Sequence, residues 1–248
     1  MKTLFHDIDI VGVGNQFALD IPMRSCVFSH NNTFYFFDCN LDTLKYIRTV
    51  KKKEFETAKR FVIAPSTNAV QSTGGISILA DKLAHTNKDI YIISPDKEYF
   101  TKLLGYEVIH SGKTFVNPTQ SSSTIYTIDE WDYEGMKITP LIMNTKKENY
   151  PITGYILEDT FSSDKSRVAI GLSGGFHGKI IDLFGKGEIH GMVLGYDAEY
   201  YSLDFLAGLS TVYGNNIYHR LDVVGFSTTV EYKSMQETIT RFEKKSRG

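Results

Sequence analysis

The chain has 248 residues, 42% hydrophobic and 13% aromatic, with 27 basic against 29 acidic side chains and a net charge of −2. That is apolar material enough for a sizeable core, and a charge too balanced for generic nucleic-acid or membrane-surface binding. No stretch approaches the ~20 apolar residues of a membrane span and the N-terminus carries no signal-peptide pattern, so a cytoplasmic protein is expected.

In chain order, segments 8–13, 24–29 and 33–39 read as strands. The last two form a hairpin, CVFSHNNTFYFFDC, turning at Asn31-Asn32. Its register sets Cys26 against Phe37, which offsets the sulfurs of the only two cysteines, Cys26 and Cys39, and two buried free thiols are expected. A helix at 41–50 follows. The basic run Lys51-Lys52-Lys53, answered by Glu54 and Glu56, reads as a solvated loop or a helix start. FVIA at 61–64 and IYII within 89–94 are apolar without alternation, which suits strands buried on both faces. Helices at 75–84 and 97–104 go with them, the second stopped by Gly105. A polar surface loop covers 111–123. Strands at 124–128, 137–143, 154–157, 167–170, 191–194 and 222–226 then mix with helices at 178–184, 202–209 and 234–245. The last helix opens with capping-box spacing and sets Met235, Ile239 and Phe242 on one face. No repeat or linker divides the chain, so one domain over 1–248 is expected, with two packed sheets and helices outside.

The segment RFVIAPSTNAVQSTGGISILADKL at 60–83 is a strand, a polar turn, two glycines and a helix. It resembles the core motif of the metallo-β-lactamase superfamily, a strand running into T-H-x-H-x-D-H-x-G-G and a helix. Anchored on Gly74-Gly75, the metal-binding positions fall on Thr67, Ala69, Gln71 and Ser72, none a strong ligand. The opening IVGVGNQFALDIPMRSCVFSHNNTFYFFDCN resembles the tRNA 3′-processing and cyclic-nucleotide phosphodiesterase branch, a G-x-G turn and then a hairpin ending in an aspartate. Asp38 is that aspartate, with Asn40 where a glycine is usual. Without metal, Asp38 is expected to hold loop amides. Later segments keep the family's order. ITPLIMNTKKENYPITGYILED places Asn144 where a metal-binding histidine is usual. SRVAIGLSGGFHGKIIDLFGKGEIHGMVLGYDAEY places Gly175 at the bridging aspartate and Asp197 at a later acid. DVVGFS places Gly225 at the final histidine. A dinuclear site needs about four to six strong ligands per metal, and of these positions only Asp197 could ligate. The resemblance therefore implies a four-layer αβ/βα sandwich of two mixed sheets with outer helices, with no metal or other cofactor and with the hydrolase site lost.

Other motifs compete. Gly171-Leu172-Ser173-Gly174-Gly175 matches G-x-S-x-G, the nucleophile elbow of α/β-hydrolases, with Asp197 or Asp204 and His219 available as partners. The chain begins with hairpins rather than βαβ units and has no HGGG-like segment, so a packing turn is the alternative. Ser111-Gly112-Lys113-Thr114 ends like a P-loop, but Glu107 stands where that loop needs glycine. The seven histidines show no ligand spacing. Tyr196, Tyr200, Tyr201, Tyr213 and Tyr218 read as core or interface aromatics rather than a stacking platform.

The leading expectation is a non-catalytic binding protein that sequesters a small phosphate-bearing nucleotide in the vestigial cleft. Its lining would come from Thr67, Asn68, Gln71, Ser72, Asn144, Ser173, His177 and Asp197. A homodimer is implied by the same branch. The alternatives are a structural or protein-interaction subunit with a closed cleft, and a serine hydrolase using Ser173.

Overall fold

The computed structural model describes residues 8–12, 22–84, 86–94, 96–105, 108–110, 125–143, 152–161, 167–172, 183, 189, 191–194 and 221–223. Strands β1 (Asp9–Gly12), β2 (Ser25–His30), β3 (Thr33–Phe37), β4 (Arg60–Ala64), β5 (Asp89–Ile93), β6 (Ile109–His110) and β7 (Ile125–Ile128) form one sheet, ordered β1-β2-β3-β4-β5-β7-β6. Strands β8 (Trp131–Tyr133), β9 (Met136–Met143), β10 (Ile152–Asp159), β11 (Arg167–Gly171), β12 (Gly191–Leu194) and β13 (Leu221–Val223) form the second, ordered β13-β12-β11-β10-β9-β8. Both are mixed: β1, β2 and β3 pair antiparallel and β3, β4, β5 and β7 parallel, while β8 to β11 are antiparallel and β11 to β13 parallel.

The uninterrupted apolar strands are buried on both faces, as their lack of alternation requires. In β3, Tyr35 and Phe37 join Phe28, Tyr91, Trp131, Tyr155 and Ile170 in a core between the sheets. Phe34 and Phe36 of the same strand pack instead with Phe61, Ile63, Ile92 and the helices. That helical layer holds α1 (Leu41–Thr49), α2 (Lys52–Thr57), α3 (Val70–Thr73), α4 (Ile76–Leu83) and α5 (Lys97–Leu104). The result is the expected α/β sandwich of two mixed sheets, with helices on the outer face of the first. The helices expected at 178–184, 202–209 and 234–245, which would form the fourth layer, lie outside the described residues apart from Leu183.

The Asn31-Asn32 turn has both residues at positive φ, 47° and 58°, the geometry of a type I′ hairpin that asparagine tolerates. Cys26 pairs with Phe37 as the register requires, and both cysteines are free and buried. Several boundaries differ from the sequence reading. β3 stops at Phe37 because Asp38 turns to φ 61°, which takes Cys39 out of the strand. The basic run is a helix start, opening α2 at Lys52. Trp131–Tyr133 is a strand that three residues were too few to reveal, and it pairs with β9 through a turn at Glu134-Gly135. Pro140 is tolerated in β9 because β8 pairs only as far as Ile138, so that flank of Pro140 needs no N–H donor. Among the described residues, no helix is long and apolar enough to cross a membrane.

Candidate functional site

Strand β4 ends at Ala64 and delivers the turn that resembles the metal-binding motif. Its anchor is Asp38, fully buried one residue beyond β3. The carboxylate accepts from the Ser66 amide at 2.6 Å through Oδ1 and from the Ser66 hydroxyl at 2.8 Å through Oδ2. Asp38 therefore holds a loop amide, as expected without a metal. Burial pushes its carboxyl up to about 6, against the Ser66 hydrogen bonds and the nearby Arg24 charge, which favour ionisation.

From Ser66 the hydroxyls continue as a chain. Ser66 Oγ lies 3.0 Å from Ser72 Oγ, which lies 3.1 Å from Thr67 Oγ1, and Thr67 Oγ1 accepts from the Ala69 amide at 3.1 Å. Ser66 and Ser72 are 2% and 0% exposed, whereas Thr67 and Asn68 are half-buried at the surface. Asn68 Nδ2 donates to Asp96 Oδ2 at 3.1 Å, and Tyr99 Oη donates to the Asn68 carbonyl at 2.5 Å. Asp96 also caps α5, its Oδ1 accepting from the Tyr99 amide at 2.9 Å.

The turn is fastened to both sheets. Cys39 N donates to Ser72 O and Gly75 N to Cys39 O, each at 2.8 Å. From the second sheet, Thr153 N donates to Ser66 O at 2.8 Å and Tyr155 Oη to Pro65 O at 2.7 Å. Burial holds the Tyr155 phenol well above its usual pKa, reinforced by the Asp38 charge, so it stays a donor. Gly75 is required by packing: a Cβ there would stand 2.8 Å from Asn40 O and 3.0 Å from Cys39 O. Asn40 caps α1 by accepting from the Thr43 amide at 3.0 Å and ties back to Arg24 O at 3.2 Å.

The donor set does not fit the metals that such a turn would ordinarily carry. Thr67, Ala69 and Ser72 offer hydroxyls or nothing, Gln71 is an amide residue, and Asp38 is committed to Ser66. Among the described residues, no three His, Cys, Asp or Glu side chains cluster to hold an ion. His30 and His110 are far from ligand spacing; His30 meets Asn31, and His110 meets Thr127 and Asp129. Asn144, Ser173, Gly175, His177, Asp197, His219 and Gly225 lie outside the described residues. So do the 111–114 segment and the five tyrosines at 196–218. Of the eight expected lining residues, the structure thus brings together Thr67, Asn68 and Ser72, and Gln71 falls within α3. Sequence reasoning missed Ser66, Asp96 and Tyr99. Asp96 sits in cap position before α5, a signal that reveals the cap but not its reach to Asn68.

No family model matches the chain, and no curated protein matches it. Solved structures do. The metallo-β-lactamase fold protein YhfI from Bacillus subtilis is 12% identical, with a TM-score of 0.54 over 88% of this chain and 97% of its own. The short form of human tRNase Z is 13% identical, with a TM-score of 0.54 over 89% of this chain and 92% of its own. A diphosphatase from the PhnP family is 9% identical, with a TM-score of 0.52 over 82% and 80%. The class is thereby set: this is a protein of the metallo-β-lactamase fold.

Proposed function

We propose that the chain is a non-catalytic protein of this fold that binds, and so sequesters, a small phosphate-bearing nucleotide at the surface of the 66–72 turn. One observation carries the reading. The motif turn holds neutral hydroxyl and amide groups at its metal positions, yet it stays polar and is fixed by the Asp38–Ser66–Ser72–Thr67 chain. Donors already held in place lose little freedom on binding. Thr67 and Asn68 present a hydroxyl and an amide at the surface, and the Asp96 carboxylate beside Asn68 suits the hydroxyls of a ribose. That carboxylate repels phosphate, which favours the Thr67 side for it. Asp38, the buried carboxylate of the turn, is engaged by Ser66 and out of reach of a substrate water.

Calorimetry against mono-, di- and cyclic oligonucleotides tests this, with chromatography of the recovered ligand. Thr67→Glu puts a like charge at the half-exposed position and is expected to weaken binding by about tenfold or more. Ser72→Glu is unsuitable, because it would bury that charge in the hydroxyl chain. No binder tighter than about 100 μM, or a ligand returned hydrolysed, would overturn the reading.

A second reading is a structural or protein-interaction subunit with a closed cleft. It draws on the mutual satisfaction of Ser66 and Ser72, whose hydroxyls are bonded inward and shielded from solvent. Native mass spectrometry separates the two, since a carried-over nucleotide favours the first, and it also reads out the homodimer that belongs to this proposal.

A further inference from the structure

A groove in the helical layer shares no residue with the 66–72 turn. It encloses about 470 Å³ among α1, α2 and α4. Its floor is Ile47, Phe55 and Leu79, all buried. Its walls include Leu41 and Ile78, aliphatic side chains left 45% and 50% exposed. The volume is that of a small-molecule pocket rather than the flat face a protein partner covers.

The charge in this groove has one sign. Among the described residues Lys45, Arg48 and Lys82 line it, and no acidic residue does. Lys45 is paired with Asp42 at 3.0 Å, which leaves Arg48 and Lys82 without a carboxylate partner among the described residues. Lys82 Nζ stands 4.8 Å from the centre of the Phe55 ring, so the ammonium is held where apolar floor meets water. The cavity formed by other residues of α4, about 290 Å³, has Asp81 and no cation among its described lining residues.

We infer that this groove binds a small anionic amphiphile as a free monomer, its apolar chain against Ile47, Phe55, Leu79 and Ile78 and its carboxylate or phosphate head at Arg48 and Lys82. An apolar floor without charge would accept a neutral hydrocarbon equally, and a cationic rim without the floor would hold only a screened anion. The two together select a molecule carrying both.

The full chain is titrated by calorimetry with decanoate, decyl phosphate, decanol and decyltrimethylammonium, each below its micelle concentration, and with vesicles containing phosphatidylglycerol. The two anions are expected to saturate one site with a dissociation constant below about 1 mM, decanol to bind about tenfold more weakly, and the cation not to bind. Arg48→Glu with Lys82→Glu is expected to weaken the anions by about tenfold or more at an unchanged melting temperature. If that pair perturbs folding, Arg48→Gln alone carries the charge test, and Ile78→Asp on the exposed wall tests the chain contact. Absence of saturable anion binding, equal binding of decanol or the cation, insensitivity to every variant, or binding to vesicles alone would overturn the inference.

Discussion

Asp38→Asn isolates the buried carboxylate at the foot of the turn. Asparagine keeps the shape and tolerates the φ of 61° at this position. Its Oδ1 can accept from the Ser66 amide, while its Nδ2 can donate to Ser66 Oγ, which now accepts instead of donating. The hydrogen-bond count survives and the titration is lost. In the native protein the carboxyl is raised to about 6 from 3.8, because burial disfavours its charged form. The folded state therefore holds the proton more tightly than the unfolded chain. Stability from this group is fully present below about pH 4 and is lost as pH rises through about 6. The change is on the order of 3 kcal/mol across that window. Urea denaturation of both proteins at pH 4, 5, 6 and 7 reads it out, and the other carboxylates cancel in the difference. The wild-type protein should gain on the asparagine variant by about 2–3 kcal/mol between pH 7 and pH 4. A difference that stays flat, or that moves toward the variant at low pH, would refute the argument that burial outweighs the Ser66 hydrogen bonds.

Gly75→Ala forces a Cβ against the carbonyl oxygens of Asn40 and Cys39, backbone atoms that cannot swing aside. It should cost about 1–3 kcal/mol by chemical denaturation, and an unchanged midpoint would mean that the 39–40 loop yields. Trp131, the only tryptophan, is fully buried between Tyr35, Tyr91 and Tyr133. Its emission should be blue-shifted and inaccessible to iodide until unfolding, and Trp131→Phe should soften the inter-sheet core by about 1–3 kcal/mol.

What the sequence revealed followed the strength of the local signal. Unbroken apolar runs, FVIA and IYII, marked β4 and β5, and a two-asparagine turn fixed the hairpin register to the residue. The role of Asp38 was also legible, but only through the resemblance, which marks it as the aspartate that ends the hairpin. Short elements were not: β8 and α3 have too few residues to show a period, and tertiary pairing creates them. The hydroxyl chain was half legible. Thr67 and Ser72 stood out as positions lacking a ligand, but nothing local distinguishes a buried serine from an exposed one. Ser72 is covered because Ser66, six residues away, and the 38–40 loop, tens of residues away, close over it.

Among the described residues the chain deals its strands in sequence, the first sheet before residue 129 and the second after it. A ribosome therefore releases the described strands of the first sheet together while those of the second are still unmade. At that stage Asp38 already has Ser66 to hold, but the carbonyls of Pro65 and Ser66 await donors from β10, the Tyr155 partner standing 90 residues downstream of Pro65. The turn is assembled early and locked late. A chain halted between β7 and β10 would carry a paired sheet with its inner aromatic face bare, the stage of synthesis most exposed to aggregation.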